Sequence, residues 1–90
     1  MFTWLNKQGV RSEQGVEVQF TGRFSAEYRE GGQVVKLYVE DGGGVPSIII
    51  NPDAFERWGD GTPIPPEQQA RILQNFKEAL EFQGLKLLIE

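Results

Sequence analysis

Five carboxylates are the residues of this sequence with the types and spacing to do acid–base chemistry: Glu40, Asp41, Asp53, Glu56 and Asp60. Histidine and cysteine are both absent, which removes the commonest general base, the commonest metal ligand, thiolate nucleophiles and disulfides. A small enzyme on this chain would need two of Asp41, Asp53, Glu56 and Asp60 in one pocket, with a raised pKa. Their settings favour turns. Glu40-Asp41 runs into Gly42-Gly43-Gly44, where Asp commonly begins a bend, and Asp60-Gly61-Thr62 lacks the spaced oxygen ligands of a calcium loop. The glycines at 42–44, 59 and 61 are not followed by the Lys-Ser/Thr pair of a phosphate-binding loop. Ser12, Ser25 and Ser47 have no histidine to activate them. We therefore expect a protein that is not an enzyme, with no catalytic residue, metal or cofactor.

The elements that position these residues are legible from periodicity. Pro66–Gln83 reads as a helix, with Ile72, Leu73, Phe76, Ala79 and Leu80 on one stripe. Pro66 suits its first position, Glu67 its positive end and Gly84 its left-handed close. Val16–Phe20 alternates apolar and polar residues. Across Thr21-Gly22-Arg23 we pair Phe20 with Phe24, Val18 with Ala26 and Val16 with Tyr28. Gly31-Gly32 is a two-residue turn that sets Tyr28 opposite Val35, Ala26 opposite Leu37 and Phe24 opposite Val39. A third turn at Asp41–Gly44, with Glu40 opposite Val45, sets Leu37 against Ile48 and Val35 against Ile50. One face then holds Val16, Val18, Phe20, Phe24, Ala26, Tyr28, Val35, Leu37, Val39, Ile48 and Ile50.

Other segments are less regular. Phe2, Trp4 and Leu5 suit either a strand or a turn of helix, and Gly9–Ser12 reads as a short strand turning at Glu13-Gln14-Gly15. Asn51–Trp58 predicts one or two helical turns, with Asn51 as cap and Pro52 at the first position. Gly59–Pro65 reads as loop. Leu85–Ile89 is a final strand, apolar on both sides and so expected inside a sheet. Pro46 belongs near a strand start, on an edge. The expected fold class is α+β: a single domain, 1–90, with an antiparallel β-meander of about four strands packed on one long C-terminal helix and a final strand.

Composition bounds the partners. The net charge of −4 and a pI near 4.8 argue against nucleic acid and against an anionic membrane surface. There is no apolar run of about 18 residues, and Met1–Lys7 lacks the pattern of a signal peptide. The expectation is a cytoplasmic protein. Tryptophan is enriched at interface hot spots, which nominates Trp4 and Trp58 as partner anchors, although Trp58 equally suits a place closing the core. Tyr38, Glu17 and Glu27 fall on the outward, mildly acidic side of the sheet. Trp4, Tyr38, Glu17, Glu27 and Trp58 are the candidate partner-binding residues.

The run Pro52–Ile64, followed by Ile72–Gly84 (ILQNFKEALEFQG), and the opening Trp4-Leu5-Asn6-Lys7-Gln8-Gly9-Val10 resemble small α+β immunity proteins found beside bacterial polymorphic toxins. The resemblance implies a bacterial, non-catalytic protein that binds and neutralises a cognate toxin, often a basic domain, without a cofactor. The alternative is a homo-oligomeric structural or accessory domain of a larger assembly, with the last strand or a meander edge pairing with its copy.

Overall fold

The computed structural model describes residues 2–42 and 46–89. Five strands form one antiparallel sheet in chain order: β1 (Phe2–Asn6), β2 (Gly9–Ser12), β3 (Glu17–Gly22), β4 (Ser25–Glu30) and β5 (Gln33–Tyr38). The chain then enters a second sheet of β6 (Glu40–Asp41), β7 (Ser47–Ile50) and, after the helix α1 (Pro66–Phe82), β8 (Lys86–Ile89). The α+β class holds, and the meander gains a hairpin at its N-terminal side that periodicity alone left open. Among the described residues no helix is long and apolar enough to cross a membrane.

The Gly31-Gly32 turn sets β4 and β5 in the expected register, Glu30 with Gln33, Tyr28 with Val35 and Ala26 with Leu37. Both glycines have positive φ, 58° and 83°, as a primed turn requires. The β3–β4 hairpin departs by two residues: Val18 pairs with Tyr28 and Phe20 with Ala26. The ladder closes further along the chain, at Gly22 and Ser25, with an irregularity after Phe20. Because side chains alternate with period two, a two-residue shift keeps every strand residue on its face. Phe24 is the exception. It moves into the turn and is 45% exposed instead of entering the core.

The third expected turn is corrected more deeply. Gly43, Gly44 and Val45 lie outside the described residues, but Glu40 pairs with Ile49 and Asp41 with Ile48, so β7 does not continue the meander. Leu37 is not set against Ile48, nor Val35 against Ile50. The ladder breaks at Val39, and the edge of β5 is met instead by Gly59, whose N–H donates to the Val34 carbonyl at 2.6 Å. A Cβ on Gly59 would meet that oxygen at 2.8 Å, so the approach needs glycine. β7 is central in its sheet, with Pro46 just ahead of it, and β8 joins its far side in parallel. Asn51–Trp58 is not helical. Two tight turns, Ala54 N–H to Asn51 and Glu56 N–H to Asp53, lead into a loop closed by the Arg57–Pro63 bridge and the Trp58 N–H to Thr62 bond.

The core lies between the sheets, this loop and one side of α1. Val10, Val18, Tyr28, Ile72, Phe76, Ala79 and Leu80 are 0% exposed. The Phe55 ring bridges Tyr28 and Phe76 edge-on, at centroid distances of 5.7 and 5.4 Å. Phe20 and Ile48 pack against this core half-buried. Gly84 at φ 82° ends the helix, and the Leu85 N–H turns back to the Leu80 carbonyl.

Candidate partner-binding surface

The cross-strand pairs divide the five-stranded sheet into two faces. One outward row runs Thr3, Arg11, Glu17, Arg29 and Val34; the next runs Gln19, Glu27 and Lys36; Ser25 and Tyr38 follow. Glu17 receives two hydrogen bonds from Arg11, at 3.1 and 2.8 Å, and Glu27 is paired with Arg29 at 2.6 Å. Three cations and two carboxylates alternate on these rows, a surplus of one positive charge, so the expected acidic sheet surface is not found there. Tyr38 is 58% exposed and stacks on Phe24, whose ring also carries the Arg23 guanidinium at 5.3 Å.

Trp4 is not on this face. It is paired with Val10, so it shares the inner face, at the opposite edge of the sheet from Tyr38. There the inner face runs past the core, and the Trp4 ring meets Phe82 at 5.6 Å while Phe2 meets the same ring at 5.9 Å. Trp4 is 49% and Phe82 39% exposed. A groove of about 310 Å³ runs from Trp4 past Phe20 to Ile48 and Leu85. Trp58 belongs to neither surface: at 7% exposure it sits in the core and presents little to a partner. The five candidates therefore separate into Trp4 at one edge, a paired outward group of Glu17, Glu27 and Tyr38, and a core residue.

Phe82 escapes the periodicity argument because it flanks the buried stripe. Its signal was its place in the last turn, three residues after Ala79 and four after Glu78. Glu78 and Phe82 are neighbours on the helix surface. Glu81 is exposed in the same turn, which holds no basic residue. The unmet carbonyls of a helix C-terminus carry partial negative charge, so acid and dipole add here. Glu78 and Glu81 thus set two carboxylates beside Phe82, while Lys7 lines the groove that starts at Trp4. A larger cleft, about 470 Å³, is lined at the β5 edge by two cations, Lys36 and Arg57, and one carboxylate, Asp60.

No family model, curated protein or solved structure matches this chain.

A polar joint, also missed from sequence, fixes the helix to the sheet. Arg71 donates to both oxygens of Glu30, at 3.0 and 2.8 Å; the Tyr28 hydroxyl donates to Glu30 at 2.6 Å and accepts from Asn75 at 3.1 Å. Arg71 is the main reason that the Glu30 carboxyl titrates below its ordinary range. Burial, followed by the Glu30 bond, pushes the Tyr28 phenol well above its ordinary value. Of the carboxylates considered for acid–base work, Asp60 is shifted downward by hydrogen bonding to Thr62, away from the raised value a general acid needs. Among the described residues no group of three His, Cys, Asp or Glu side chains could hold a metal ion.

Proposed function

We propose that this chain is a non-catalytic protein-binding domain, an immunity protein that binds and neutralises a cognate bacterial toxin. The observation that carries the binding reading is the coincidence of exposed aromatics with acid at a helix end: Trp4 and Phe82 in ring contact, with Glu78 and Glu81 in the last two turns of that helix. Large rings supply contact area at low entropic cost, and carboxylates around them steer a basic partner. The resemblance of Trp4–Val10, Pro52–Ile64 and Ile72–Gly84 to immunity proteins supplies the class of that partner.

The test is capture from the source lysate with the tagged wild-type chain and with a Trp4→Ala, Phe82→Ala double variant. A basic toxin domain retained by the wild type, released by salt, and held at least tenfold more weakly by the variant is the expected result. Its toxicity in a bacterial host should be suppressed by co-expressing this chain. Recovery of the chain alone, or equal retention by both forms, would remove the reading.

A further inference from the structure

A sheet edge is a row of unpaired backbone groups, and folded domains usually block it. Three of the four edges here are managed. β1 is interrupted by an irregularity between Trp4 and Asn6. β5 is met by Gly59 at Val34. β6 is two residues long and both are acidic. β8 is different: Lys86–Ile89 is regular, pairs residue for residue with Ser47–Ile50, and is apolar beyond its first residue.

The parallel ladder fixes which groups β8 leaves open. Lys86 turns its N–H to β7, reaching the Pro46 carbonyl at 3.0 Å, and Leu88 follows it at the alternate position. The N–H and C=O of Leu87 and Ile89 therefore point away from β7, and among the described residues no further bond reaches them. Leu88 is 36% and Ile89 46% exposed. Ile89 also borders a recess of about 100 Å³ beside Ala70 and Leu73 of α1.

We infer that β8 pairs antiparallel with the β8 of a second copy, joining two three-stranded sheets across a two-fold axis. The occupant follows from self-complementarity. A two-fold axis through this edge makes the strands antiparallel. In the register centred on Leu88, Leu87 of each copy meets Ile89 of the other as a hydrogen-bonded pair, which uses every open group named above, and Leu88 meets Leu88. A strand slipped by one residue would put the bonding groups out of phase. The inference rests on the strand edge and not on Trp4 and Phe82.

The absence of cysteine gives a clean probe. Facing residues of a non-hydrogen-bonded antiparallel pair have Cα atoms about 4.5 Å apart, within the span of a disulfide. A Leu88→Cys variant should oxidise to a covalent dimer, while Leu5→Cys, on the β1 edge, should stay monomeric. In sedimentation from micromolar to millimolar protein, the wild type should approach twice the 10.2 kDa chain mass. Ile89→Pro removes an outward N–H without removing a β7 ladder bond, so sedimentation of the variant, at a temperature where circular dichroism shows it folded, should find the dimer weakened about tenfold or more. A wild type that stays monomeric at millimolar concentration would overturn the inference, whether or not it binds a foreign strand. So would a dimer indifferent to Ile89→Pro in which Leu88→Cys fails to cross-link.

Discussion

The outward face of the five-stranded sheet and the Trp4–Phe82 corner are both solvent-facing, but folding has left them in opposite conditions. On the sheet each carboxylate of the Glu17–Glu27 group has an arginine at 2.6–2.8 Å, and the rows alternate in sign. At the corner two rings touch without cover, and the helix end carries acid where a cation would stabilise it. Exposure is common to both; at the corner the bare rings adjoin carboxylates that no arginine pairs among the described residues. A long-range field and a hot spot require charge and apolar area that the domain itself has not used, which is why the corner, and not the broader sheet face, is the better candidate interface.

The comparison can be broken in graded steps. Phe76→Ala opens a hole under both surfaces at once and should cost about 3–5 kcal/mol, enough to unfold much of the population. A melt matching the parent would mean that the helix is not held to the sheet as described. Glu30→Gln strips the charge from the joint to Arg71, a pair partly screened by solvent, and should cost about 0.5–1.5 kcal/mol. Its pH dependence is signed. The folded carboxyl titrates below its unfolded value, so its contribution is complete above the ordinary carboxylate range and is lost as pH falls through the folded value. The variant should consequently lose less stability than the parent over that acidic window; parallel pH–melting curves would count against the Arg71 pair. Glu81→Lys gains at the helix dipole what it loses against Lys77 four residues back, so it should change stability by less than about 0.5 kcal/mol while weakening partner capture, a divergence expected of the corner alone. Arg29→Ala, on the sheet, removes a solvent-screened pair and should leave both the melting temperature and capture nearly unchanged. Should Arg29→Ala disrupt binding more than Glu81→Lys, the two surfaces have been assigned the wrong way round.

Face parity was legible because it is a local, period-two property. Val16, Val18, Ala26, Tyr28, Val35, Leu37, Val39 and Ile50 are buried as the alternation requires, even where the β3–β4 register is two residues away from expectation. Pairing partners were less legible because they depend on what competes for an edge. Gly59 occupies the β5 position that the meander scheme had reserved for β7. A clue was present nevertheless: Ile48-Ile49-Ile50 and Leu87-Leu88-Ile89 are continuous apolar runs, the pattern of strands apolar on both faces, and they pair with each other in parallel. Asn51–Trp58 carried sound helix-start signals but no length to propagate them, and the bonds from the Trp58 N–H to Thr62 and from the Ile64 N–H to Glu56 decided its shape. For the candidate surface, sequence gave the aromatic types but not their company. Trp58 is drawn into the core, Trp4 is left at an edge, and Phe82 comes to Trp4 only because α1 crosses that end of the sheet.

The parallel partnership of β7 and β8 also sets an order of assembly. Every pairing in the larger sheet joins neighbours along the chain, so each hairpin closes through a short loop. β7 finds β8 only after the loop and the whole of α1 have been traversed, a closure with a larger entropic cost that is repaid only when the helix is docked. The five-stranded sheet can therefore condense first and serve as the template for the helix, with the second sheet zipping last. Its amides, those of Ile48 and Ile50 included, should open to hydrogen exchange before those of β3 and β4.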